Sequence, residues 1–140
     1  MELVSRRQPD IILTGIQSGT VPYSYNNLRY LTSTQLDVLL GILPDLVVLC
    51  VNIHDDIAYM KRTVLTIENY INTHVLCCMV YTMTNKNTLF LNNNKVHPFS
   101  DEINNFVEML DKEISIPIFV NERKSVGKAV DLIVDYLTEI

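Results

Sequence analysis

The chain has 140 residues, 48% of them hydrophobic, and a formal charge of −5. A chain of this length is usual for one domain and can bury one core, so we predict a single domain over residues 1–140. Its eleven Lys and Arg residues are scattered, which argues against nucleic acid or an anionic membrane as the main partner. No apolar segment reaches the roughly 20 residues of a membrane span and the N-terminus has no apolar signal core, which predicts a cytoplasmic protein.

Four short apolar runs predict β-strands at residues 10–15, 46–53, 75–83 and 116–120. Three of these runs are near-continuous rather than alternating, which is typical of strands that are buried on both faces of a sheet. Stretches with apolar residues at helical spacing separate and follow the runs. Because strand and helix alternate, we predict a three-layer α/β fold with a mostly parallel sheet of four to five strands and helices on both faces.

Four helices are predicted from this spacing, and each has a residue near its start that can accept hydrogen bonds from unpaired backbone N–H groups. The apolar residues are Leu36, Leu39, Leu40 and Leu43; Ile57, Met60, Val64, Ile67 and Ile71; Ile103, Phe106, Val107 and Leu110; and Val126, Val130, Ile133 and Leu137. The predicted capping residues are Ser33, Asp55 or Asp56, Ser100 and Ser125.

The three cysteines, Cys50, Cys77 and Cys78, lie inside apolar runs. Their odd number and their positions predict small buried side chains in a reducing compartment rather than a disulfide framework. Adjacent residues of a strand point to opposite faces, so Cys77 and Cys78 are not expected to share a metal ion. We therefore predict no metal site and no thiol chemistry.

The first predicted strand is followed by a long polar loop with several tyrosines. In a parallel α/β sheet, ligands bind at the carboxyl ends of the strands, and structureless loops of this length are often functional. The loop is either a ligand or partner surface, or an ordered packing loop whose tyrosines cover the edge of the core. Its candidate ligand-binding residues are Gln17, Ser18, Gly19, Thr20, Tyr23, Asn27 and Arg29.

The second and third predicted strand ends carry further polar residues. Asn52, His54, Asp55 and Asp56 suit a divalent metal or acid–base chemistry, but carboxylates at this point also suit a helix N-terminus, and we favour that structural role. Residues 84–87 resemble the base-reading NKxD element of GTPases, except that an asparagine replaces its aspartate. Asn85 and Lys86 are therefore further candidate ligand-binding residues.

At the fourth strand end, Arg123 and Lys124 could contact a phosphate or could simply be solvated. No motif pairs a nucleophile with a base, so we predict no catalytic residue. The phosphate-binding GxxxxGK[ST] segment is also absent, because the pair Gly127 and Lys128 lacks both the upstream glycine and the following hydroxyl.

Three segments of the sequence form a further pattern: residues 10–15 with Gly19 and Pro22, residues 47–51 and residues 63–67. Together they resemble the second half of dethiobiotin-synthetase-like P-loop proteins, a family that binds a nucleotide with Mg²⁺. That family carries a magnesium-binding carboxylate just before the glycine of its corresponding strand, where this chain has Thr14. Its phosphate loop would lie upstream of the matching segments.

A second pattern covers nearly the whole chain, and its specific part is Gln17, Ser18 and residues 22–24. Its other residues are Pro9, Asp10, Gly15, Asn27, Leu28, Gly41, Pro44, Asp45, residues 48–52, Asp55, Tyr59 and residues 61–63. With this pattern the chain is similar to the C-terminal half of a bacterial peptide-maturation-system family associated with ribosomally made natural-product peptides. The resemblance implies an accessory role and an N-terminal half that is missing from this sequence and could bind a nucleotide.

Two functional hypotheses follow. The first is a non-catalytic ligand- or partner-binding accessory domain of a peptide maturation system, with residues 17–29 as its binding surface. The second is a nucleotide-binding component of an ATP- or GTP-dependent P-loop-like enzyme, completed by a missing half or a partner chain. An apolar sheet edge or helix surface left exposed by a missing half also predicts a homodimer.

Overall fold

A computed structural model of the protein describes residues 9–16, 33–81 and 100–139. The chain divides into two compact units, Met1–Pro44 and Asp45–Ile140, which are taken in turn. All nine candidate ligand-binding residues of the sequence lie outside the described residues, as does the NKxD-like segment. The single-domain organisation and the roles of those residues therefore stay predictions.

In the first unit, the prediction of a strand at residues 10–15 is wrong. Residues 11–16 form neither helix nor strand, and their apolar side chains are exposed, with Ile11 at 58% and Leu13 at 96%. A strand is stabilised by pairing with a neighbour, and an apolar run alone does not supply that neighbour. The unit also contains helix α1 (Ser33–Ile42), which begins at the predicted capping residue.

Leu43, the residue that follows the last residue of helix α1, adopts the left-handed conformation with φ 47°. The backbone N–H of Leu43 donates to the carbonyl of Leu39 at 2.9 Å, a common way to close the last turn of a helix. Leu43 was predicted from its spacing to extend the helix. It lies just beyond the helix instead, with its side chain exposed.

The second unit alternates strand and helix and confirms the predicted α/β class with a parallel sheet. Its strands are β1 (Leu46–Asn52), β2 (His74–Tyr81) and β3 (Ile118–Val120), in the spatial order β1-β2-β3 and parallel throughout. Its helices are α2 (Ile57–Thr66), α3 (Ser100–Glu113) and α4 (Arg123–Glu139). The sheet thus has three strands in the described part of the chain, where four to five were predicted.

Helix α2 begins at a side-chain cap and ends in a wider turn. Asp56 accepts hydrogen bonds at Oδ1 from the backbone N–H groups of Ala58 (2.8 Å) and Tyr59 (3.4 Å), which confirms it as the N-cap. The helix continues as a π-helical turn, Ile67–Ile71, and stops at Asn72, which is left-handed with φ 58°. Asparagine tolerates this conformation better than most residues.

Strand β2 is the centre of the core. Its six residues from Val75 to Val80 are all buried, and successive residues of a strand point to opposite faces, so β2 is covered on both faces. The pairing of Val47 with Val75 and of Val48 with Cys77 leaves Leu76 without a partner in β1. This β-bulge is a rare feature in a parallel pair.

Helices α2 and α3 complete the core beside the sheet. Met60 in α2 and Leu110 in α3 are fully buried. Helix α3 carries two acidic residues in its first turn and Lys112 in its last turn, as the helix dipole favours. The Lys61 Nζ of α2 lies 2.9 Å from the Glu113 Oε2 of α3. Crossovers between parallel strands are right-handed in nearly all proteins, and two such crossovers that advance in one direction place their helices on the same face, which agrees with this ion pair.

Helix α4 packs against β3, and its Tyr136 ring stacks on the His74 ring at the start of β2, with the ring centroids 5.7 Å apart. Beside this pair, Glu68 of the π-helical turn accepts from the Val75 N–H at 3.4 Å and lies 3.5 Å from His74 Nδ1. These contacts fix the amino end of β2 between the π-helical turn and α4.

Candidate functional site

The polar residues at the carboxyl end of β1 are engaged with the backbone. Asp55 Oδ2 accepts from the Asn52 N–H at 2.7 Å, and Asn52 Oδ1 accepts from the His54 N–H at 3.2 Å. The Asp55 N–H in turn donates to the Asn52 carbonyl at 3.0 Å. Together with the Asp56 cap, these bonds build the turn from β1 into α2. They support the structural interpretation of this cluster over acid–base chemistry.

No group of three or more His, Cys, Asp or Glu side chains that could hold a metal ion is present among residues 9–16, 33–81 and 100–139. Within the same ranges, no helix is long and apolar enough to cross a membrane.

At the carboxyl end of β3, backbone groups make several of the contacts. The Asn121 N–H donates to the Val80 carbonyl of β2 at 2.8 Å, and Val126 N–H donates to the Glu122 carbonyl at 2.8 Å. The basic residues Arg123 and Lys124 are exposed in the first turn of α4. The structure therefore places two exposed cations in the first turn of this helix.

Ser125 is not the cap of the fourth helix, contrary to the prediction. Helix α4 begins two residues earlier, at Arg123, and the Ser125 hydroxyl accepts from the Val120 N–H of β3 at 3.2 Å. The serine lies inside the first turn and uses its oxygen on the strand end. Sequence spacing gave the correct helix but not the position of its first residue.

The three thiols differ in exposure. Cys77 and Cys78 are completely buried, as predicted, whereas Cys50 is exposed and the prediction for it is wrong. Burial raises the pKa of Cys78 to about 12, with smaller contributions from Cys77, Cys50 and Asp55. Burial and then Cys50 raise the pKa of Cys77. Thiols held protonated in this way are weak nucleophiles.

Cys50 also meets Tyr81 across the β1–β2 pair. Charge on Cys50, followed by partial burial and a side-chain hydrogen bond to Cys50, raises the pKa of Tyr81. Both side chains are exposed, and they mark a small polar contact on an otherwise apolar part of the sheet.

An open groove of about 550 Å³ lies between α2 and α3. Its lining is mainly apolar and includes Ile57, Ala58 and Met109, with the Lys61–Glu113 ion pair and Lys112 beside them. Met109 is 50% exposed. Sequence reasoning did not identify this groove, because it depends on how two helices are offset, which periodicity does not reveal.

Strand β1 is the most unusual surface of the second unit. Its sequence is as apolar as that of β2, yet Leu46 to Leu49 are only partly buried and Cys50 is exposed. Only Val51, at 4% exposure, is buried like the residues of β2. One edge of β1 pairs with β2, and its other edge pairs with no strand in the described ranges.

Compared with families of known proteins, with curated proteins and with solved structures, the chain shows no match.

Proposed function

We propose that the chain is a non-catalytic, partner-binding accessory domain, of the kind that the resemblance to peptide-maturation proteins implies. The observation that carries this proposal is β1, a seven-residue strand of six apolar residues and one asparagine that lies at a sheet edge with its side chains partly exposed. An apolar strand with an unpaired edge is a template for pairing with another chain.

The polar groups and thiols of the second unit support binding rather than catalysis. The carboxylates of Asp55 and Asp56 stabilise backbone N–H groups, and the buried thiols of Cys77 and Cys78 have raised pKa values. Residues 17–29 are proposed as a second part of the partner surface. We also propose that the protein is cytoplasmic and that its fold is P-loop-like.

A photo-crosslinking amino acid at position 50 tests the proposal in cells of the natural host. We expect a defined adduct, identified by mass spectrometry, at position 50 and none at Val130, which is 50% exposed on α4 and serves as the matched control. A folded protein that forms no adduct at position 50 would overturn the proposed binding role of β1.

Native mass spectrometry with Mg-ATP and Mg-GTP tests the non-catalytic part separately. We expect the bare protein mass at nucleotide concentrations that saturate ordinary nucleotide-binding proteins. A stoichiometric nucleotide adduct, accompanied by phosphate release, would contradict the proposal in favour of a nucleotide-binding component.

A further inference from the structure

We propose that Leu43 is a two-state joint in the chain between α1 and β1, with a left-handed state that closes the last turn of α1 and an extended state that opens it. The inference goes beyond the proposed function, because it concerns a conformational change of the backbone and not a partner surface. It is carried by the backbone conformation of Leu43, by the proline that follows it and by the exposure of its side chain.

Leu43 has a backbone conformation that its side chain disfavours. Among the described residues, two that are not glycine are left-handed, Leu43 with φ 47° and Asn72 with φ 58°. Asparagine tolerates this region, whereas a bulky residue such as leucine is a rare outlier there. The two positions therefore provide an internal comparison, in which Leu43 carries the greater strain.

Pro44 adds to the strain at Leu43. The ring of a proline clashes with the N–H and Cβ of the residue before it, which favours an extended conformation of that residue. Asn72 is followed by Thr73 and has no such neighbour. Both the side chain of Leu43 and the residue after it thus favour a conformation other than the one in the structure.

A backbone hydrogen bond opposes this preference, with little help from packing. The Leu43 N–H donates to the Leu39 carbonyl at 2.9 Å. The Leu43 side chain is 64% exposed, so its surroundings do little to hold the backbone. Strain of this kind persists only where the surrounding structure over-determines it. Because the strain and the net gain from one hydrogen bond are of similar size, the two states lie close in free energy.

In the extended state, the Leu43 N–H leaves the Leu39 carbonyl and the chain leaves α1 in a different direction. Residues 43–45 connect the last residue of α1 to the first residue of β1, and the boundary between the two units follows Pro44. A ligand or partner that binds one state better than the other shifts the population of the joint by its differential affinity. The strained leucine thereby gives the covalent junction of the two units two defined conformations.

Hydrogen exchange of the amide at position 43, in full-chain variants, tests for the two states. Leu43→Gly removes the side-chain cost of the left-handed backbone and should raise the protection factor of this amide about tenfold. Leu43→Val introduces a β-branched side chain, which tolerates positive φ poorly, and should lower the protection factor. Asn72→Gly is the matched control, and it should leave protection at position 43 within about twofold of the natural chain.

Relaxation dispersion of the amide nitrogens measures the exchange in the natural chain, since it detects motion between states on the microsecond-to-millisecond scale. We expect an exchange contribution at Leu43 and at Asp45, on either side of the proline. Leu43→Gly and Pro44→Ala should each reduce this contribution, because both variants favour the left-handed state. Asn72→Gly should leave it unchanged.

The natural chain and Leu43→Gly decide the outcome even if Leu43→Val fails to fold. Equal protection at position 43 in these two chains, without an exchange contribution at Leu43, would show a single conformation and overturn the joint. Protection that rises in Leu43→Gly together with exchange that falls supports it. The photo-adduct at position 50 tests the proposed function alone, so the two proposals can fail separately.

Discussion

Strands β1 and β2 have the same kind of sequence but different surroundings. Both are near-continuous apolar runs, and both were predicted to be buried on two faces. In the structure, β2 is buried from Val75 to Val80, whereas β1 is partly exposed along most of its length. An apolar run therefore predicts that a strand favours burial. Whether the strand is buried in the fold of one chain depends on its neighbours in the sheet.

Thiol labelling provides the sharpest contrast between the two strands. At pH 8, a maleimide should label Cys50 of β1 rapidly and leave Cys77 and Cys78 of β2 unlabelled in the folded chain. With a pKa of about 12, only about one Cys78 side chain in ten thousand is a thiolate at this pH. Intact-protein mass spectrometry should show one label per folded chain and three per urea-unfolded chain. Two or three labels at the folded stage would mean that β2 opens readily.

A matched leucine truncation in each strand measures the energetic difference. Leu76→Ala should lower the free energy of unfolding by about 2–5 kcal/mol, because Leu76 is 6% exposed and the substitution leaves a cavity. Leu49→Ala, at a partly buried position, should cost roughly half as much or less, since less apolar area returns to water. Urea denaturation measures both values.

Measuring both leucine variants at several protein concentrations separates the two strands further. If β1 pairs between copies, the cost of Leu49→Ala should grow with protein concentration, whereas the cost of Leu76→Ala relative to the natural chain should not change. Equal costs for the two variants at every concentration would contradict the assignment of β1 as an exposed edge.

Alkaline pH should weaken the fold through the buried thiols of β2. The pKa of Cys78 rises from 9.0 to about 12 on folding, so between these values the unfolded chain loses a proton that the folded chain keeps. The free energy of unfolding therefore falls as pH rises above 9, by up to about 1.4 kcal/mol per pH unit for this thiol. Urea titrations at pH 8.0 to 10.5 measure the slope.

A pair of substitutions isolates this thiol. Cys78→Ala should reduce the pH slope, whereas Val75→Ala, which removes a comparable buried group from the same strand without a thiol, should lower stability and keep the slope. A slope that Cys78→Ala leaves unchanged would show that other groups dominate the alkaline transition.

The turn after β1 should show the smallest effect. Asp56→Ala removes the N-cap of α2 and should cost about 0.5–2 kcal/mol, with Asp56→Asn retaining most of the stability because the amide oxygen still accepts the hydrogen bonds. Urea denaturation provides the measurement. An unchanged free energy of unfolding for Asp56→Ala would show that this carboxylate does not stabilise the helix.

Local sequence patterns predicted the helices and strands of the second unit well, because each of these elements forms where its own residues favour it. Helices α2, α3 and α4 follow the 3.6-residue spacing of apolar residues, and the strands β1, β2 and β3 match the predicted runs within a few residues. Asp56 was one of two predicted caps for α2 and is the residue that the structure selects. Each of these predictions depends on residues close in sequence.

The wrong predictions concern features that depend on contacts between residues distant in sequence. Residues 10–15 have a strand-like sequence but no strand structure, and Cys50 has a buried-strand sequence but an exposed side chain, because sheet neighbours are not encoded locally. Ser125 was assigned to a cap and binds the end of β3 instead. Nothing in the sequence marked β1 as an edge or showed the groove beside Met109. The predicted ligand-binding residues from Gln17 to Arg29, with Asn85 and Lys86, stay predictions.

Hydrogen–deuterium exchange of the β1 and β2 amides at low and high protein concentration tests the central claim most directly. The account predicts that β2 amides are protected at both concentrations, and that amides between Leu46 and Val51 gain protection only at high concentration, where the predicted homodimer forms. Protection of β1 that is the same at both concentrations would contradict the prediction that two copies associate through this edge.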